Sequence, residues 1–378
     1  MNEIFDRVLL AARKLGASDV HLKVGRPPIF RIRGQLRTLK DVPAMNSDVI
    51  ETFAVNIMNQ RQHQIFMENC EVDLAYGTED GYRYRVNVFR QRGTTGMVMR
   101  IIPSQIPSFD RLNLPQRVKD LSREQRGLVL VTGITGSGKS TTLASLLEVV
   151  NVERPCHIVS VEDPIEYVFE DKRSIVNQRE IGFDTMGFQG ALRSALRQDP
   201  DVMLVGEMRD HETIRTVMLA AETGHLVFST LHTVDATETI ARIVQMFPAE
   251  EQNAIRLQLA AILRAIVSQR LLPRADGRGM IPAVEVLINT PRVQEMISDP
   301  KRTHELIQAI KEGANPYGMV SFDQTLSQLV RRKLVAYEVA LAASTNPADF
   351  ELAFRGVMAG GDDQMRGSGD DEVDFDLE

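Results

Sequence analysis

The sequence predicts an α/β protein in which a nucleotide-binding domain follows a smaller α+β module. A glycine-rich segment at residues 133–140 lies between a short apolar run and a helical pattern. Further along the chain, carboxylates and histidines adjoin apolar runs at 157–166, 199–210 and 222–232. Because ligands bind at strand ends in open parallel sheets, these segments together indicate one nucleotide site.

The glycine-rich segment reads GITGSGKS and fits the phosphate-binding pattern G-x-x-x-x-G-K-[ST]. Residues 127–132 before it are β-branched and apolar, as in a strand, and residues 141–150 after it repeat apolar residues at helical spacing. In such a loop, backbone N–H groups surround a phosphate, the lysine reaches the β- and γ-phosphates, and the serine binds Mg²⁺. The predicted nucleotide-binding residues are Gly133, Thr135, Gly136, Ser137, Gly138, Lys139, Ser140 and Thr141, with Ser140 also a metal ligand.

Length and composition are typical of an enzyme of two domains, with 378 residues and 43% hydrophobic content. No apolar stretch approaches the roughly 20 residues that span a bilayer, and the N-terminus lacks a signal-peptide pattern, so we expect a cytoplasmic protein. Cys70 and Cys156 are too few for a disulfide framework or a structural zinc site. The net charge of −7 argues against broad adhesion to nucleic acid.

The N-terminal part of the chain has its own secondary-structure signals. Residues 2–15 have the pattern of an amphipathic helix, and residues 20–24 and 29–32 read as strands around a Gly-Arg-Pro-Pro turn. Residues 83–89 and 97–101 read as the two arms of a hairpin. These signals predict a small α+β module.

Composition also suggests where the domains end. Pro103, Pro107 and Pro115 interrupt a polar stretch that is typical of a linker, and residues 360–378 hold eight acidic residues and few large apolar ones. The predicted division is an N-terminal domain at 1–102, a linker at 103–118, a nucleotide-binding domain with C-terminal helices at 119–358 and a disordered acidic tail at 359–378.

Carboxylates follow two of the predicted strands. A β-branched run leads into Glu162, Asp163 and Glu166, and the apolar residues 202–205 lead into Gly206 and Glu207, as in a Walker B strand. Such carboxylates hold the Mg²⁺ shell or polarise the attacking water in phosphoryl transfer. The spacing leaves the general base open among the three glutamates.

Two histidines lie on either side of the apolar run LVFSTL. His225 and His232 are seven residues apart, but the run between them favours a strand over a helix. A zinc pair is a poor interpretation because no third ligand is clustered nearby. Hydrogen-bonded sensors of a nucleotide or a carboxylate are the better hypothesis.

The motifs together carry a resemblance. In their order and spacing, the phosphate loop and the boxes SVEDPIEY, DPDVMLVGEMRD and TGHLVFSTLHT resemble the secretion and pilus ATPase superfamily. Residues 17–36 and 83–92 fit the same superfamily, so the resemblance covers roughly residues 1 to 355. In its compact length and its lack of a tetracysteine zinc motif, the chain resembles PilT-type retraction motors.

The resemblance implies a RecA-like P-loop NTPase core joined to a smaller PAS-like N-terminal domain, with ATP and Mg²⁺ bound. It implies phosphate contacts for Arg85 and Arg100, and it matches the superfamily's acidic and histidine boxes to residues already named. The catalytic residues expected from it are Glu162, Glu166, Glu207, Arg85, Arg100, His225 and His232, with Glu207 beside the metal.

The resemblance also implies an assembly and a task. A homohexamer at the cytoplasmic face of the inner membrane would use ATP hydrolysis to exert force on a pilus platform protein and retract the pilus. One segment departs from the pattern, because the residues after Thr290 and Pro291 keep only the apolar spacing of an AIRNLIRE-like sequence, through Val293, Met296 and Ile297.

That departure leaves alternatives open. The chain could be a PilU-like accessory motor that acts through a paralogous retraction ATPase, rather than the primary motor. A nucleic-acid translocase is a weaker alternative, because the chain is acidic and lacks aromatics interleaved with basic residues.

Overall fold

The computed structural model describes residues 3–32, 34–38, 42–78, 80–103 and 105–360. Its contacts divide the chain into two units, one made of Met1–Arg111, Ser122–Leu128 and Ser140–Thr230 and the other of Leu112–Leu121, Val129–Lys139 and Leu231–Glu378. The domain limits at 102 and 118 stay a prediction. Of the predicted acidic tail, residues 361–378 lie outside the described residues.

An antiparallel sheet of six strands forms the N-terminal part of the first unit, in the order β3-β2-β1-β6-β5-β4. Its strands are β1 Ala17–Leu22, β2 Ile29–Ile32, β3 Gln35–Thr38, β4 Glu71–Gly77, β5 Arg83–Gln91 and β6 Thr94–Ile102. The predicted hairpin is β5 and β6, which pair from Arg83 with Ile102 to Gln91 with Thr94.

Three helices accompany this sheet: α1 Glu3–Lys14, α2 Ser47–Ile57 and α3 Gln60–Asn69. The amphipathic pattern of the first helix is confirmed, because Phe5 and Leu9 lie in a core shared with Phe53 and with Tyr84 of β5. Burial of these large side chains supplies the main stabilisation of the module, at roughly 1.5–3 kcal/mol for each fully buried aliphatic or aromatic side chain.

The rest of the first unit is a parallel ladder with helices. It contains β8 His157–Glu162, β9 Ile175–Glu180, α6 Phe188–Ala195, β10 Val202–Val205, α7 His211–Glu222 and most of β11 Leu226–Leu231. β10 pairs in parallel with β8 and with β11. Every residue of β10 and β11 is buried, as expected for strands covered on both faces.

The second unit holds most of β7 Gly127–Thr132 and the glycine-rich loop that follows it, before α5 Lys139–Glu153. Its other elements are α4 Gln116–Asp120, α8 Ala236–Gln245, α9 Gln252–Ile262, β12 Leu263–Pro273, β13 Met280–Ile288, α10 Pro291–Ser298, α11 Leu306–Glu312, α12 Phe322–Arg331, α13 Tyr337–Ala343 and α14 Pro347–Gly360. The strand order of the second sheet is β13-β12-β7-β11-β10-β8-β9. Within the described part of the chain, no helix has the length and apolar character needed to cross a membrane.

The segment that departs from the superfamily pattern is the helix α10. Thr290 caps its N-terminus, and Val293, Met296 and Ile297 are buried, so the apolar spacing is used for packing. Arg256 donates from Nη1 to the carbonyl oxygen of Ile297 at 3.1 Å, which satisfies one of the carbonyls that a helix end leaves unpaired. The residues of α10 that differ from the superfamily pattern therefore belong to a helix whose apolar side is packed in the usual way.

A buried carboxyl group lies between β13 and α8 in the second unit. Glu285 is only 7% exposed, and its Oε1 accepts a hydrogen bond from the backbone N–H of Ala236 at 3.0 Å. Burial, together with the charge of Asp235, raises the pKa of Glu285 to about 7, while the Ala236 N–H and the Arg270 guanidinium oppose the shift. A carboxyl group whose pKa is higher in the folded chain than in the unfolded chain makes stability depend on pH.

We predict that Glu285→Gln flattens the pH dependence of stability. The protonated carboxyl favours the folded state, so its contribution is complete below the ordinary glutamate pKa and is lost as pH rises through about 7. Glutamine stays neutral and still accepts the Ala236 N–H, which should remove up to about 3 kcal/mol of the loss between pH 5 and pH 8. Denaturant unfolding at the two pH values measures the difference.

Glu250→Gln is the matched control, because Glu250 is exposed. An unchanged pH dependence in Glu285→Gln, equal to that of the control, would show that Glu285 does not titrate in this range.

Candidate functional site

The glycine-rich loop has the expected strand–loop–helix setting. It leaves β7 after Thr132 and enters α5 at Lys139, which is only 8% exposed. The Nζ of Lys139 donates to the carbonyl oxygens of Gly133 at 2.7 Å and Ile134 at 3.0 Å. These bonds hold the ammonium group over the loop, where phosphate oxygens can replace the two carbonyl oxygens as hydrogen-bond acceptors.

Two features of the loop fit a phosphate group. Gly133 has a φ of +144°, and a Cβ there would lie 2.4 Å from the Oγ of Ser137 and 2.5 Å from the carbonyl oxygen of Gln269, so only glycine fits. The buried Ser137 Oγ has no hydrogen-bond partner among the described residues. A buried hydroxyl without a partner costs free energy that an added acceptor or donor would recover.

The remaining predicted loop residues lie at or near the N-terminal end of α5. Thr135, Gly136 and Ser140 are exposed, and Thr141 shares a hydrogen bond of 3.0 Å with the Tyr167 hydroxyl. Mg²⁺ is commonly held by one or two protein oxygens together with substrate phosphates. The Ser140 hydroxyl and the Glu207 carboxylate suit a metal ion that arrives with a nucleotide.

Glu162 ends β8 as a buried carboxyl group. Its Oε1 accepts hydrogen bonds from the Ser160 hydroxyl at 2.6 Å and from the Gln178 amide at 3.2 Å. Burial raises the pKa of Glu162 to about 7, while these two bonds and the backbone N–H of Glu166 hold it down. A carboxyl group that changes charge near neutral pH is suited to accept a proton from water.

Glu207 follows the neighbouring strand, β10. It is 8% exposed, and its Oε1 pairs with the Arg209 guanidinium at 2.5 Å. The residue before it, Gly206, lies so close to β8 that a Cβ there would be 3.3 Å from the Cα of Glu162. The structure thus brings Glu162 and Glu207 to adjacent strand ends, as the sequence predicts, while Glu166 is exposed in the turn that follows β8.

The two predicted arginines are neighbours on the six-stranded sheet. Arg85 of β5 lies opposite Arg100 of β6, and Arg100 lies opposite Asp19 of β1. Arg100 donates from Nε to Asp19 at 2.9 Å, and Arg31 approaches the other oxygen of that carboxylate at 3.7 Å. Residues directly opposite share a face, so this row presents three guanidinium groups and one carboxylate.

The two histidines lie at opposite ends of β11. His225 precedes the strand, and its Nδ1 is 2.8 Å from the carbonyl oxygen of Ala220 at the end of α7. His232 follows the strand and is exposed. At about 3.3 Å per residue, the strand between them separates the two rings by roughly 20 Å. Only His232 lies at the carboxyl end of a strand, so the structure does not bring the two histidines together.

Sequence reasoning missed the residues that hold Glu162 in place. Ser160 and Gln178 lie opposite each other in the parallel pairing of β8 and β9, and Glu162 lies opposite Glu180. Gln178 also donates to the carbonyl oxygen of Tyr167 and accepts from the Phe169 N–H. The signal for Gln178 was a run of four polar residues, 177–180, which becomes informative only when the strand register is known.

Comparison with known proteins gives a family match across most of the chain. The family of type II/IV secretion system proteins matches residues 1–346. The type IV pilus retraction ATPase PilT of Pseudomonas aeruginosa is 44% identical over 343 residues, which are 91% of this chain and 98% of that protein. The type IV pilus ATPase PilU of the same organism is 38% identical over 351 residues, covering 93% and 91%.

A solved structure described as the pilus retraction motor PilT with bound ADP matches with a TM-score of 0.84 and 46% identity, covering 91% of this chain and 98% of that one. The α/β fold class expected from the sequence is confirmed by this match, because it extends over both sheets.

We predict that Lys139→Ala weakens nucleotide binding. Loss of a charge-assisted contact with phosphate should lower affinity by about 1.5–3 kcal/mol, or roughly 10- to 150-fold. Titration with a fluorescent adenine nucleotide and Mg²⁺ measures the change. Lys172→Ala is the control, because Lys172 pairs with Glu148 on the surface. Equal affinities for the two variants would contradict the role of Lys139.

Proposed function

The chain belongs to the family of type II/IV secretion system proteins, within which it is a PilT-like retraction ATPase, and we propose that it is a primary motor of pilus retraction. ATP hydrolysis would supply the work, and the product of the motion would be depolymerisation of a type IV pilus. The observation that carries the proposal is the pair of buried glutamates at the ends of β8 and β10.

The two glutamates have different environments and are proposed to have different tasks. Glu207 pairs with Arg209 and would orient the attacking water and the metal shell. Glu162 is buried with a pKa of about 7 and would accept the proton of that water. Glu166 is exposed, and its backbone N–H lowers the pKa of Glu162. Its own carboxylate is therefore the weaker choice for the base.

Binding of the nucleotide is assigned to the loop and the arginine row. Lys139 and the residues 133–141 would hold the phosphates, and Ser140 with Glu207 would hold Mg²⁺, which neutralises charge as the phosphate bond breaks. Arg85 and Arg100 present planar guanidinium groups that suit a polyphosphate. His232 would sense the nucleotide from the end of β11, and the corresponding hypothesis for His225 stays a prediction.

The proposed assembly is a homohexamer that acts at the cytoplasmic face of the inner membrane on a pilus platform protein. An accessory role through a paralogous motor is the second candidate, and it is favoured by one observation. The helix α10 keeps its buried apolar residues but differs from the AIRNLIRE-like pattern elsewhere. The 44% identity to PilT against 38% to PilU supports the primary motor.

We predict that Glu207→Gln binds nucleotide with wild-type affinity but loses turnover by about 100-fold or more, because an amide cannot orient or polarise the water as a carboxylate does. Steady-state ATP hydrolysis and nucleotide titration of the purified chain, with its mass in solution, measure both. Glu212→Gln, an exposed glutamate on α7, is the control. Hydrolysis by Glu207→Gln at the wild-type rate would reject its assigned role.

Little turnover by the wild-type chain, with nucleotide binding intact, would favour the accessory candidate. Recovery of turnover on addition of a paralogous ATPase would then identify the partner.

We predict that Ser160→Ala moves the rising limb of the kcat–pH profile to higher pH. The Ser160 hydroxyl donates to the charged form of Glu162, so its removal disfavours ionisation and raises the pKa of the base above about 7. A bond to a charged group is worth enough to shift the limb by about one pH unit. ATP hydrolysis measured from pH 5.5 to pH 9 gives the profile.

Gln178→Ala should move the limb in the same direction, because Gln178 also donates to Glu162. A limb near pH 7 that stays in place in both variants would assign it to a different group.

A further inference from the structure

Glu180 is a buried acid that the proposed mechanism does not use. It ends β9, lies opposite Glu162 in the parallel pairing of β8 and β9, and is 8% exposed. A buried carboxylate needs hydrogen-bond donors, and the structure shows two of them on the same oxygen. Both donors come from segments that matter to the site.

The first donor is in the turn that carries the acidic box. The Oε2 of Glu180 accepts from the backbone N–H of Ile165 at 3.1 Å. Ile165 is 2% exposed and lies between Glu162 and Glu166. The next N–H along the chain, that of Glu166, is near enough to the Glu162 carboxyl group to lower its pKa. Glu180 therefore holds the peptide group that adjoins the one acting on Glu162.

The second donor is on the six-stranded sheet. Arg83 of β5 donates from Nη2 to the same Oε2 at 3.2 Å, and its guanidinium lies 5.8 Å from the centre of the Phe183 ring. Arg83 and Arg85 are two residues apart on one strand, so they share a face of the sheet. The strand that offers Arg85 to a phosphate is thus also bonded to the acid that holds the turn.

We propose that Arg83 and Glu180 are positioning residues, which fix the turn from Glu162 to Glu166 according to where β5 lies. Glu180 links the turn to β5, since its Oε2 accepts hydrogen bonds from both the Ile165 N–H and the Arg83 guanidinium. Loss of the arginine leaves a buried carboxylate with one donor fewer, and the turn is then held less firmly. Nothing in this step requires either residue to touch the nucleotide.

The consequence for turnover rests on the proposed function. If Glu162 is the proton acceptor, displacement of β5 changes the geometry of the base through Glu180. The chemical step would then respond to the six-stranded sheet while affinity for the nucleotide would not. Loss of a purely structural ion pair would instead lower the stability of the fold and leave both the exchange rates in the turn and the turnover rate unchanged.

Hydrogen exchange of the full chain without nucleotide tests the positioning directly. Arg83→Met and Glu180→Gln should each raise exchange at the Ile165 and Glu166 amides by several-fold to about tenfold. The double variant should add nothing, because both changes break one arrangement. Arg83→Lys keeps a cation and should restore part of the protection, and it keeps the test valid if Arg83→Met unfolds.

Arg90→Met is the matched control. Arg90 also lies on β5 and pairs at 3.2 Å, but with Glu51 of α2, so its loss should leave exchange at residues 165 and 166 unchanged. Unchanged exchange in Arg83→Met and Glu180→Gln, or a rise equal to that of the control, overturns the positioning role. This outcome does not depend on whether the chain hydrolyses ATP.

Steady-state kinetics of the same variants test the coupling to turnover. We expect kcat to fall about 3- to 10-fold in Arg83→Met and Glu180→Gln, with KM for ATP within twofold of wild type. Altered exchange with a wild-type kcat overturns the coupling. A wild-type chain without turnover rejects the proposed function, and the exchange result still decides whether Arg83 and Glu180 hold the turn.

Discussion

The close approach of β8 and β10 is the constraint on which the candidate site depends. A Cβ on residue 206 would lie 3.3 Å from the Cα of Glu162, which is tighter than most Cβ contacts, so glycine lets the two strands come this near at their ends without a shift of the backbone. Hydrogen bonds reinforce the contact, because the Gly206 N–H donates to the carbonyl oxygen of Val161 and Thr230 donates to that of Gly206. Two acids are thereby fixed at neighbouring strand ends.

Burial then gives the two acids different chemistry. Glu162 has only neutral donors beside it, so its desolvation dominates and its pKa rises to about 7. Glu207 has the guanidinium of Arg209 against it. One strand pair thus holds one carboxyl group that titrates near neutral pH and one that is paired with a cation, and the proposed function gives these two groups different tasks.

Sequence patterns predicted the strands that are buried on both faces and missed one alternating strand at the end of the second sheet. β7 and β10 were expected at their observed limits, because a continuous apolar run bounded by glycine or a carboxylate admits few interpretations. β9 was missed because its residues alternate in burial at the end of the sheet. The change from α9 to β12 at Leu263 was also hidden, since the apolar run there fits either period.

The loop residues of the site could be predicted for a related reason. Their roles follow from spacing within one segment. By contrast, Gln178 and Glu180 reach the turn from Glu162 to Glu166, and Arg83 reaches Glu180, only through strand pairing and folding over long stretches of chain. The strand expected between His225 and His232 is observed as β11, and it separates two residues that a helix would bring together.

The row of Arg31, Asp19, Arg100 and Arg85 is charged at every pH at which the protein folds, because a guanidinium group does not deprotonate. One acid cannot balance three cations, so the face repels itself and draws counterions from the solvent. Ionic strength, rather than acidity, is therefore the variable that tunes this face. Dissolved salt therefore screens the row, and a buffer of low ionic strength strengthens its attraction for anions.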